Sequence, residues 1–330
     1  MSVQVIIFSR DRALQLEAVL HSFYLHCSDA SSADVYVLYL ATDDRHHHQY
    51  RSLAATYSKV AFIPQKNFRQ DLLAIMNPFE KGNWGRHVYF ALCAVGSVGV
   101  SNRLWLARVW NRTARQIQMR LTRSLLPSLE SDSYILFLVD DNIFVRDFQL
   151  KDPVNALDKH QKLIGCSLRL GTNTVICYPH NASQRLPEFI DINDKLVMYR
   201  WPGAEYDFGY PLEVSSSVYR LKDILPFVAG LHFSNPNTLE EQISSHAGVF
   251  RSKYPFLCCY RSSITFCNPV NKVQAILPNR AGEQFGYNLE ELTDRFERGE
   301  RIKVEAYNDF TPVGCHQEVE LVFEKIHEPV

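Results

Sequence analysis

The sequence predicts an α/β fold in which a mostly parallel central sheet is flanked by helices. Short apolar runs alternate with segments of helical periodicity through residues 3–63. Residues 135–139 form a continuous run of large apolar side chains, which is typical of a strand buried on both faces. Hydrophobic residues make up 46% and charged residues 22% of 330 positions, an ordinary globular composition. No internal repeat, low-complexity tract or linker interrupts the chain, so we expect residues 1–330 to form one domain.

The first 64 residues supply three strands and two helices. A strand is predicted over residues 3–8, and a helix follows in which apolar side chains recur at helical spacing over 16–23. The second strand spans 35–40, the second helix 45–57, and a third short strand ends before Pro64. Strands that alternate with helices in this way predict parallel pairing.

Residues 65–110 break this alternation. The stretch 88–100 is mostly apolar but too short to span a bilayer, so we interpret it as a core helix and loop. A surface patch that touches a membrane or an apolar acceptor is the alternative, because Trp105 and Trp110 follow closely. A helix is then predicted over residues 111–126.

Polar side chains follow the apolar run at 135–139. Asp140, Asp141 and Asn142 would emerge at the carboxyl end of a central strand, which is where open α/β sheets bind ligands. Their oxygens suit a hard divalent cation and, through it, a phosphate. The alternative is that these residues only make a turn, which Asp and Asn favour.

Two other strands end in polar clusters that we expect on the same edge of the sheet. Ser9, Arg10 and Asp11 follow the first strand, and Asp43 and Asp44 follow the second. Arginine pairs with phosphates, and carboxylates accept hydrogen bonds from a base or ribose. No G-x-G-x-x-G follows the first strand and no P-loop motif occurs, which argues against the usual dinucleotide-binding fold and against P-loop NTPases. A net charge of -1 argues against nucleic-acid binding.

Taken together, four segments resemble nucleotide-sugar-dependent glycosyltransferases of the GT-A fold, closest in style to the large family two group. The resembling segments are Ser9-Arg10-Asp11-Arg12, Asp43-Asp44, the helix with Arg112 and Arg115, and Phe137-Leu138-Val139-Asp140-Asp141-Asn142. The resemblance implies a Rossmann-like sheet, with residues 1–145 binding a nucleotide sugar and residues 146–330 binding a glycan or glycolipid acceptor. It implies transfer of the sugar to an acceptor hydroxyl, with an Asp-x-Asp motif that binds Mn²⁺ or Mg²⁺ and thereby the donor diphosphate.

The resemblance also assigns roles to single residues. Donor binding falls to Ser9, Arg10, Asp11, Asp43, Asp44, Arg115 and Asp140, and metal binding to Asp140, Asp141, Asn142 and the late histidine His316. The third motif position departs from the family pattern, because the Asn142 amide oxygen can coordinate a cation but brings no charge. We therefore expect a cation that binds together with the donor diphosphate. A lone histidine such as His316 can instead be a hydrogen-bonded structural residue.

A candidate catalytic base lies near a predicted helix start. Asn237 suits an N-cap, and Glu240 follows at the spacing of a capping box, so Glu240 can simply close the helix end. Inverting enzymes of the GT-A fold often carry their base at such a helix start. The resemblance therefore makes Glu240 the first candidate and Glu241 the second for taking a proton from the acceptor hydroxyl.

Acceptor binding has a further candidate in residues 199–210, a segment rich in aromatic side chains. Apolar sugar faces stack on aromatic rings, whereas a packed surface loop is the competing interpretation. Residues 211–219 are predicted to form the next strand.

The remaining sequence features concern location and alternatives. The eight cysteines form no C-x-x-C pair, and no secretory signal is recognised at the start of the sequence. These features predict a cytoplasmic protein, with peripheral contact to a membrane surface as an alternative. A nucleotidyltransferase shares much of this architecture, but residues 9–12 lack the glycine-rich loop it would need. A non-catalytic carbohydrate-binding module on the same fold is the third hypothesis, and Asn142 favours it.

Overall fold

The computed structural model describes residues 2–76, 133–271 and 280–325. Strands and helices alternate within residues 2–76, whereas several strands follow one another directly in the later described ranges. The strands are β1 (Ser2–Arg10), β2 (Ala33–Leu40), β3 (Ala61–Pro64), β4 (Ser133–Val139), β5 (Asn142–Phe144), β6 (Leu163–Ser167), β7 (Ile176–Cys177), β8 (Ala182–Ser183), β9 (Phe189–Asp191), β10 (Leu196–Arg200), β11 (Ser217–Arg220), β12 (Phe256–Tyr260), β13 (Thr265–Cys267), β14 (Glu300–Ile302) and β15 (Phe323–Lys325). The helices are α1 (Ala13–His26), α2 (Asp44–Thr56), α3 (Phe68–Met76), α4 (Lys151–Lys159), α5 (Leu221–Ala229), α6 (Pro236–His246) and α7 (Leu289–Glu297).

A nine-stranded sheet in the order β3-β2-β1-β4-β11-β6-β12-β10-β9 organises the fold. Its β3, β2, β1 and β4 pair in parallel, as do β6 and β12. The pairings of β11 with β4 and β6, and of β10 with β12 and β9, are antiparallel. Only β11 and β10 therefore run against the common direction within this sheet. The predicted α/β class, with a large and mostly parallel sheet between helices, is confirmed.

The central strand β4 is buried on both faces of the sheet, which explains its continuous apolar sequence. Leu136 and Leu138 belong to the core on the side of α1, whereas Ile135 and Phe137 belong to the core on the side of α3 and α5. Alternate side chains of a strand point to opposite faces, so a strand covered on both sides needs apolar residues at every position.

The aromatic segment after β10 packs into the protein instead of forming an open platform. Trp201 and Phe208 are buried, and Trp201 Nε1 donates a hydrogen bond of 2.7 Å to the Tyr254 carbonyl. For these two rings the packed-loop interpretation is the correct one. The strand predicted over residues 211–219 is shorter than expected, since β11 begins only at Ser217.

Several predicted features lie outside the described residues: the apolar stretch 88–100, the helix over 111–126, and Arg112 and Arg115. Within the described ranges, no helix has both the length and the apolar character that crossing a membrane requires.

A fully buried arginine connects β11 to the end of α4. Arg220 is 2% exposed, and its guanidinium donates to the Leu163 carbonyl at 2.8 Å and the His160 carbonyl at 3.2 Å, and also to the Leu157 carbonyl. The last carbonyls of a helix have no partner inside the helix, so this side chain supplies the donors that they need.

We predict that Arg220→Met lowers the free energy of unfolding by about 3 kcal/mol, because buried carbonyls lose charged donors. Urea denaturation of both proteins measures the change. The exposed Arg251 provides a matched control, since Arg251→Met should change stability by no more than about 0.5 kcal/mol. Equal losses for the two variants would contradict the assigned role of Arg220.

Candidate functional site

A cavity of about 730 Å³ opens at the carboxyl ends of β1 and β4. Parallel strands bring their carboxyl ends to one edge, and this is the edge where α/β sheets place ligands. The cavity gathers side chains that are far apart in sequence. Its charged and polar lining includes Ser9, Arg10, Arg12, Asp140, Asp141, Glu240 and His316.

Asp11 fastens the loops after β1 and β2 to each other. Its backbone is in the left-handed region with φ of 55°, a conformation that Asp tolerates better than most residues. Its carboxylate accepts the Thr42 N–H at 2.8 Å, while its own N–H donates to the Leu40 carbonyl at 3.1 Å. Asp11 is buried and supports the cavity edge; it is absent from the lining that the described residues form.

Ser9 and Arg10 do line the cavity. The Ser9 hydroxyl lies 2.6 Å from that of buried Tyr50, so it is already engaged within the protein. The Arg10 side chain is 48% exposed, and its Nε lies 3.6 Å from Asp11 Oδ2. Arg10 thus places an exposed positive charge in the cavity lining.

Asp43 and Asp44 have a simpler local explanation. Asp43 is the N-cap of α2, and its Oδ1 accepts the His46 backbone N–H at 2.8 Å. That hydrogen bond, together with the His46 side chain, lowers the pKa of the Asp43 carboxyl. Asp44 occupies the first turn of α2, where a negative charge suits the helix dipole. Among the described residues neither belongs to the cavity lining.

Asp140 forms a buried ion pair with Arg12. Arg12 Nη1 lies 3.1 Å from Asp140 Oδ1, and each side chain is 9% exposed. The second carboxylate oxygen accepts the Arg10 backbone N–H at 3.1 Å. Sequence reasoning did not foresee this pairing, because it depends on β1 and β4 being neighbours. The Asp140 charge is therefore balanced by the protein itself.

Asp141 has a carboxylate oxygen without such a partner. Its Oδ1 is buried and has no hydrogen-bond partner in the described part of the chain. Burial raises the pKa of this carboxyl, against the lowering effect of nearby Arg12. Leaving such an atom unsatisfied costs about 1–3 kcal/mol, so the site favours a cation or donor at this oxygen.

Asn142 turns inward and does not join the other motif residues. Its side-chain oxygen accepts the Val139 N–H at 2.9 Å, and its amide nitrogen lies 3.5 Å from Cys267 Sγ. The side chain has no exposed surface. The structure thus brings Asp140 and Asp141 to the cavity, while Asn142 closes the turn after β4.

The start of α6 differs from the prediction. Asn235, not Asn237, is the N-cap, and its side chain accepts the Thr238 N–H at 2.9 Å. Thr238 Oγ1 completes the capping box by accepting the Asn235 N–H at 3.1 Å. The capping role predicted for Glu240 is therefore wrong, because Thr238 already performs it. Its carboxyl is left to face the cavity.

Glu240 lies in an electrostatic setting that suits proton transfer. The pKa of its carboxyl is raised to about 7, mainly by burial. The nearby Arg169 guanidinium acts to lower this pKa, and the Glu213 carboxylate acts to raise it. Glu241, the second candidate, is exposed and is not part of the cavity wall that the described residues define.

Sequence reasoning missed the buried pair Arg169 and Glu213. Arg169 Nη2 lies 3.7 Å from Glu213 Oε2, and the residues are 5% and 3% exposed. Glu213 also accepts the Ser215 hydroxyl at 2.6 Å and the Ser216 N–H at 2.9 Å. The sequence did contain a signal, since Glu213 comes shortly before three consecutive serines, residues 215–217. Short polar side chains of this kind hydrogen-bond to nearby backbone groups. The apolar neighbours made the segment resemble a continuous strand instead.

His316 reaches the same cavity from near the end of the described chain. Its Nε2 lies 3.4 Å from Arg169 Nη1, and its buried Nδ1 has no partner within residues 2–76, 133–271 and 280–325. Burial and the Arg169 charge lower the pKa of the imidazole to about 3. The ring is therefore neutral at physiological pH.

The donor set fits a cation only in part. Within the described ranges, no group of three or more His, Cys, Asp or Glu side chains could hold a metal ion by itself. Of the two neighbouring aspartates, Asp140 is paired with Arg12, whereas Asp141 Oδ1 has no partner among the described residues. A divalent cation at this place would need further oxygens from a bound ligand or water.

Comparisons with known proteins give a distant relative. No protein-family model matches the chain. The bifunctional glycosyltransferase pgtA of Dictyostelium discoideum is 20% identical over 334 residues, which cover 93% of this chain and 37% of that protein. This chain therefore spans little more than a third of the length of the curated relative.

Solved structures give weaker likenesses. Residues 1–349 of TarS from S. aureus, in complex with UDP, are 12% identical with a TM-score of 0.39, covering 90% of this chain and 72% of that chain. Mouse xyloside xylosyltransferase 1 is 8% identical with a TM-score of 0.34, covering 77% of this chain and 84% of that chain. Scores this low do not assign a fold, which here is established by the sheet itself.

We predict that Asn142→Asp, which would create an Asp-x-Asp sequence at residues 140–142, destabilises the protein. The new carboxylate would lie without exposed surface beside Asp141 and would lose the amide contact to Cys267. We expect the free energy of unfolding to fall by about 2 kcal/mol or more.

Chemical denaturation at pH 7 measures this change, and calorimetry with Mn²⁺ measures cation affinity. Asp141→Asn is the matched control, because it removes a neighbouring buried charge and should not destabilise. A stable Asn142→Asp protein that binds Mn²⁺ more tightly than the wild type would contradict the inward role of Asn142.

Proposed function

We propose that this chain transfers a sugar from a nucleoside diphosphate sugar to a hydroxyl group of a glycan or glycolipid acceptor. The observation that carries the proposal is the common cavity. It joins an unpartnered carboxylate oxygen on Asp141, an exposed guanidinium on Arg10 and a half-buried carboxyl on Glu240 with a raised pKa. Arg10 suits a charged diphosphate, Asp141 suits a cation bound together with that diphosphate, and Glu240 suits proton transfer from an alcohol. The glycosyltransferase name of the distant relative supports the same class of reaction.

The donor end of the site lies at β1 and β4. Arg10 would pair with the diphosphate of the nucleotide sugar, and the Arg12–Asp140 ion pair would hold the two strand ends at a constant separation. A Mn²⁺ or Mg²⁺ ion would be held by Asp141 together with the diphosphate. Such an ion offsets the charge that develops on a phosphate leaving group.

Glu240 would act as the general base. A base is most effective when its pKa is close to the working pH, and the Glu240 carboxyl has a pKa of about 7. It would take the proton of the acceptor hydroxyl while the oxygen attacks the anomeric carbon. With one base and a departing diphosphate, a single displacement is sufficient, so we propose that the reaction inverts the anomeric configuration.

We predict that Glu240→Gln lowers the turnover number for sugar transfer by at least about 100-fold, because the general base is lost. The affinity for nucleoside diphosphate should change by less than about threefold, since the donor end is unaltered. A panel of nucleotide sugars, assayed with Mn²⁺ for release of nucleoside diphosphate, identifies the donor first.

Glu241→Gln is the matched control, because the neighbouring carboxyl is exposed and off the cavity. Undiminished transfer by Glu240→Gln would eliminate Glu240 as the base. If UDP, GDP and CDP all leave the melting temperature unchanged, with and without Mn²⁺, a non-catalytic binding module would be the better explanation.

We also predict that transfer activity falls as the pH is lowered through about 7. A general base works in its ionised form, and the raised pKa of Glu240 means that the protonated form already predominates below that pH. A pH profile of kcat/KM from about pH 3.5 to 9 tests this sign. An acid limb centred near 4.5, the ordinary value for Glu, would show that Glu240 is not the titrating group.

A further inference from the structure

The two ring nitrogens of His316 lie in different surroundings. Nε2 lies 3.4 Å from Arg169 Nη1. Nδ1 is buried and makes no hydrogen bond to any described residue. His316 contributes to the wall of the cavity that also contains Asp141 and Glu240.

The contact with Arg169 determines which nitrogen carries the proton. A guanidinium group has only donors, so Nε2 must be the acceptor in this contact. A neutral imidazole carries a single N–H, which then lies on Nδ1. The pKa of His316 is lowered to about 3 by burial and by Arg169, so the doubly protonated ring does not compete at physiological pH.

Arg169 is itself held firmly in place. It is 5% exposed, and its other terminal nitrogen lies 3.7 Å from the Glu213 carboxylate. Glu213 is held in turn by the Ser215 and Ser216 hydrogen bonds of the loop before β11. Because both groups are buried, water is not available to replace the contact between the guanidinium and the carboxylate.

We propose that Arg169 holds His316 as the Nδ1–H tautomer, so that His316 donates a hydrogen bond to an anionic oxygen in the cavity and is not a metal ligand. Coordination through Nδ1 needs a free lone pair, which this tautomer lacks. That the oxygen belongs to the donor diphosphate rests on the proposed function.

Four cavity-lining residues carry a buried atom without a partner among the described residues: Arg12 Nε, Asp141 Oδ1, Asn271 Nδ2 and His316 Nδ1. The atoms of Asp141 and His316 complement such a ligand. Asp141 Oδ1 lacks a donor or cation, and His316 Nδ1–H lacks an acceptor, within the part of the chain that is described. A cation alone would satisfy only Asp141. A diphosphate with its cation would satisfy both atoms, since Asp141 would hold the cation and His316 would donate to a phosphate oxygen. An N–H directed at that oxygen stabilises the charge of the leaving group.

The tautomer can be observed directly, by a measurement that does not require enzymatic activity. Nitrogen NMR of protein labelled with ¹⁵N-histidine distinguishes a protonated from an unprotonated ring nitrogen, and the signals that vanish in His316→Asn belong to His316. We expect Nδ1 protonated and Nε2 unprotonated at pH 7. A proton on Nε2 would overturn the proposal.

Variants of Arg169 test what sets the tautomer. Arg169→Lys keeps a group that only donates, so we expect the Nδ1–H form to persist. Arg169→Met should leave a mixture of both tautomers. If Arg169→Met does not fold, the double variant Arg169→Met with Glu213→Gln removes both buried charges and serves the same test. An unchanged tautomer in the folded variant lacking the guanidinium would overturn the role of Arg169.

Two substitutions of His316 separate hydrogen-bond donation from metal ligation. Asn keeps an N–H near the position of Nδ1, whereas Asp is a good metal ligand that cannot donate. With Mg²⁺ and the nucleoside diphosphate that gives the largest thermal shift, we expect His316→Asn to bind within about threefold of the wild type. His316→Asp should bind at least about tenfold more weakly. The reverse order would show that His316 is a metal ligand.

Failure of the proposed function is distinguishable from failure of this inference. If no nucleoside diphosphate binds the wild-type protein, the glycosyltransferase proposal fails. The NMR result on the free protein still decides the tautomer of His316 and its dependence on Arg169.

Discussion

The buried ion pair between Arg12 and Asp140 is the interaction on which the site depends most. It connects the loop after β1 to the end of β4 across nearly 130 positions of sequence, with both side chains 9% exposed. A charge removed from water requires a partner, so the pair constrains the two strand ends to a single arrangement. Asp11 extends the constraint to β2 by accepting the Thr42 N–H. The carboxylates of Asp11 and Asp140 are thus both held by partners within the protein.

A second set of buried charges reaches the cavity through His316 and has a different consequence. Arg169 is placed between Glu213 and His316, and its charge also acts on Glu240. One guanidinium therefore affects the ionisation of a carboxyl and the tautomer of an imidazole. Both effects depend on low exposure, because water would screen the charge and offer competing hydrogen bonds. Asp140 is held in an ion pair with Arg12, whereas the neighbouring Asp141 keeps a carboxylate oxygen without a partner among the described residues.

The shared location of three candidate site residues has a simple cause. Parallel strands place their carboxyl ends at one edge, so Ser9, Arg10 and Asp140 could be assigned to a common cavity from strand order alone. The residues assigned less well are those with a competing local role. Asp43 caps α2, and Asn142 closes a turn. A short polar side chain at a strand end or helix start serves both purposes equally well in sequence, and only the direction of the side chain separates them.

The sequence by itself determined the α/β class, the double-sided burial of β4 and the edge at which polar residues collect, because these follow from local periodicity and strand direction. Tertiary structure alone decided which charges are paired. Arg12 meets Asp140, and Arg169 meets Glu213, through contacts between segments that are distant along the chain. The physical reason is that hydrogen bonds and ion pairs act over a few ångströms in space, whereas a sequence pattern reports only on neighbours along the chain.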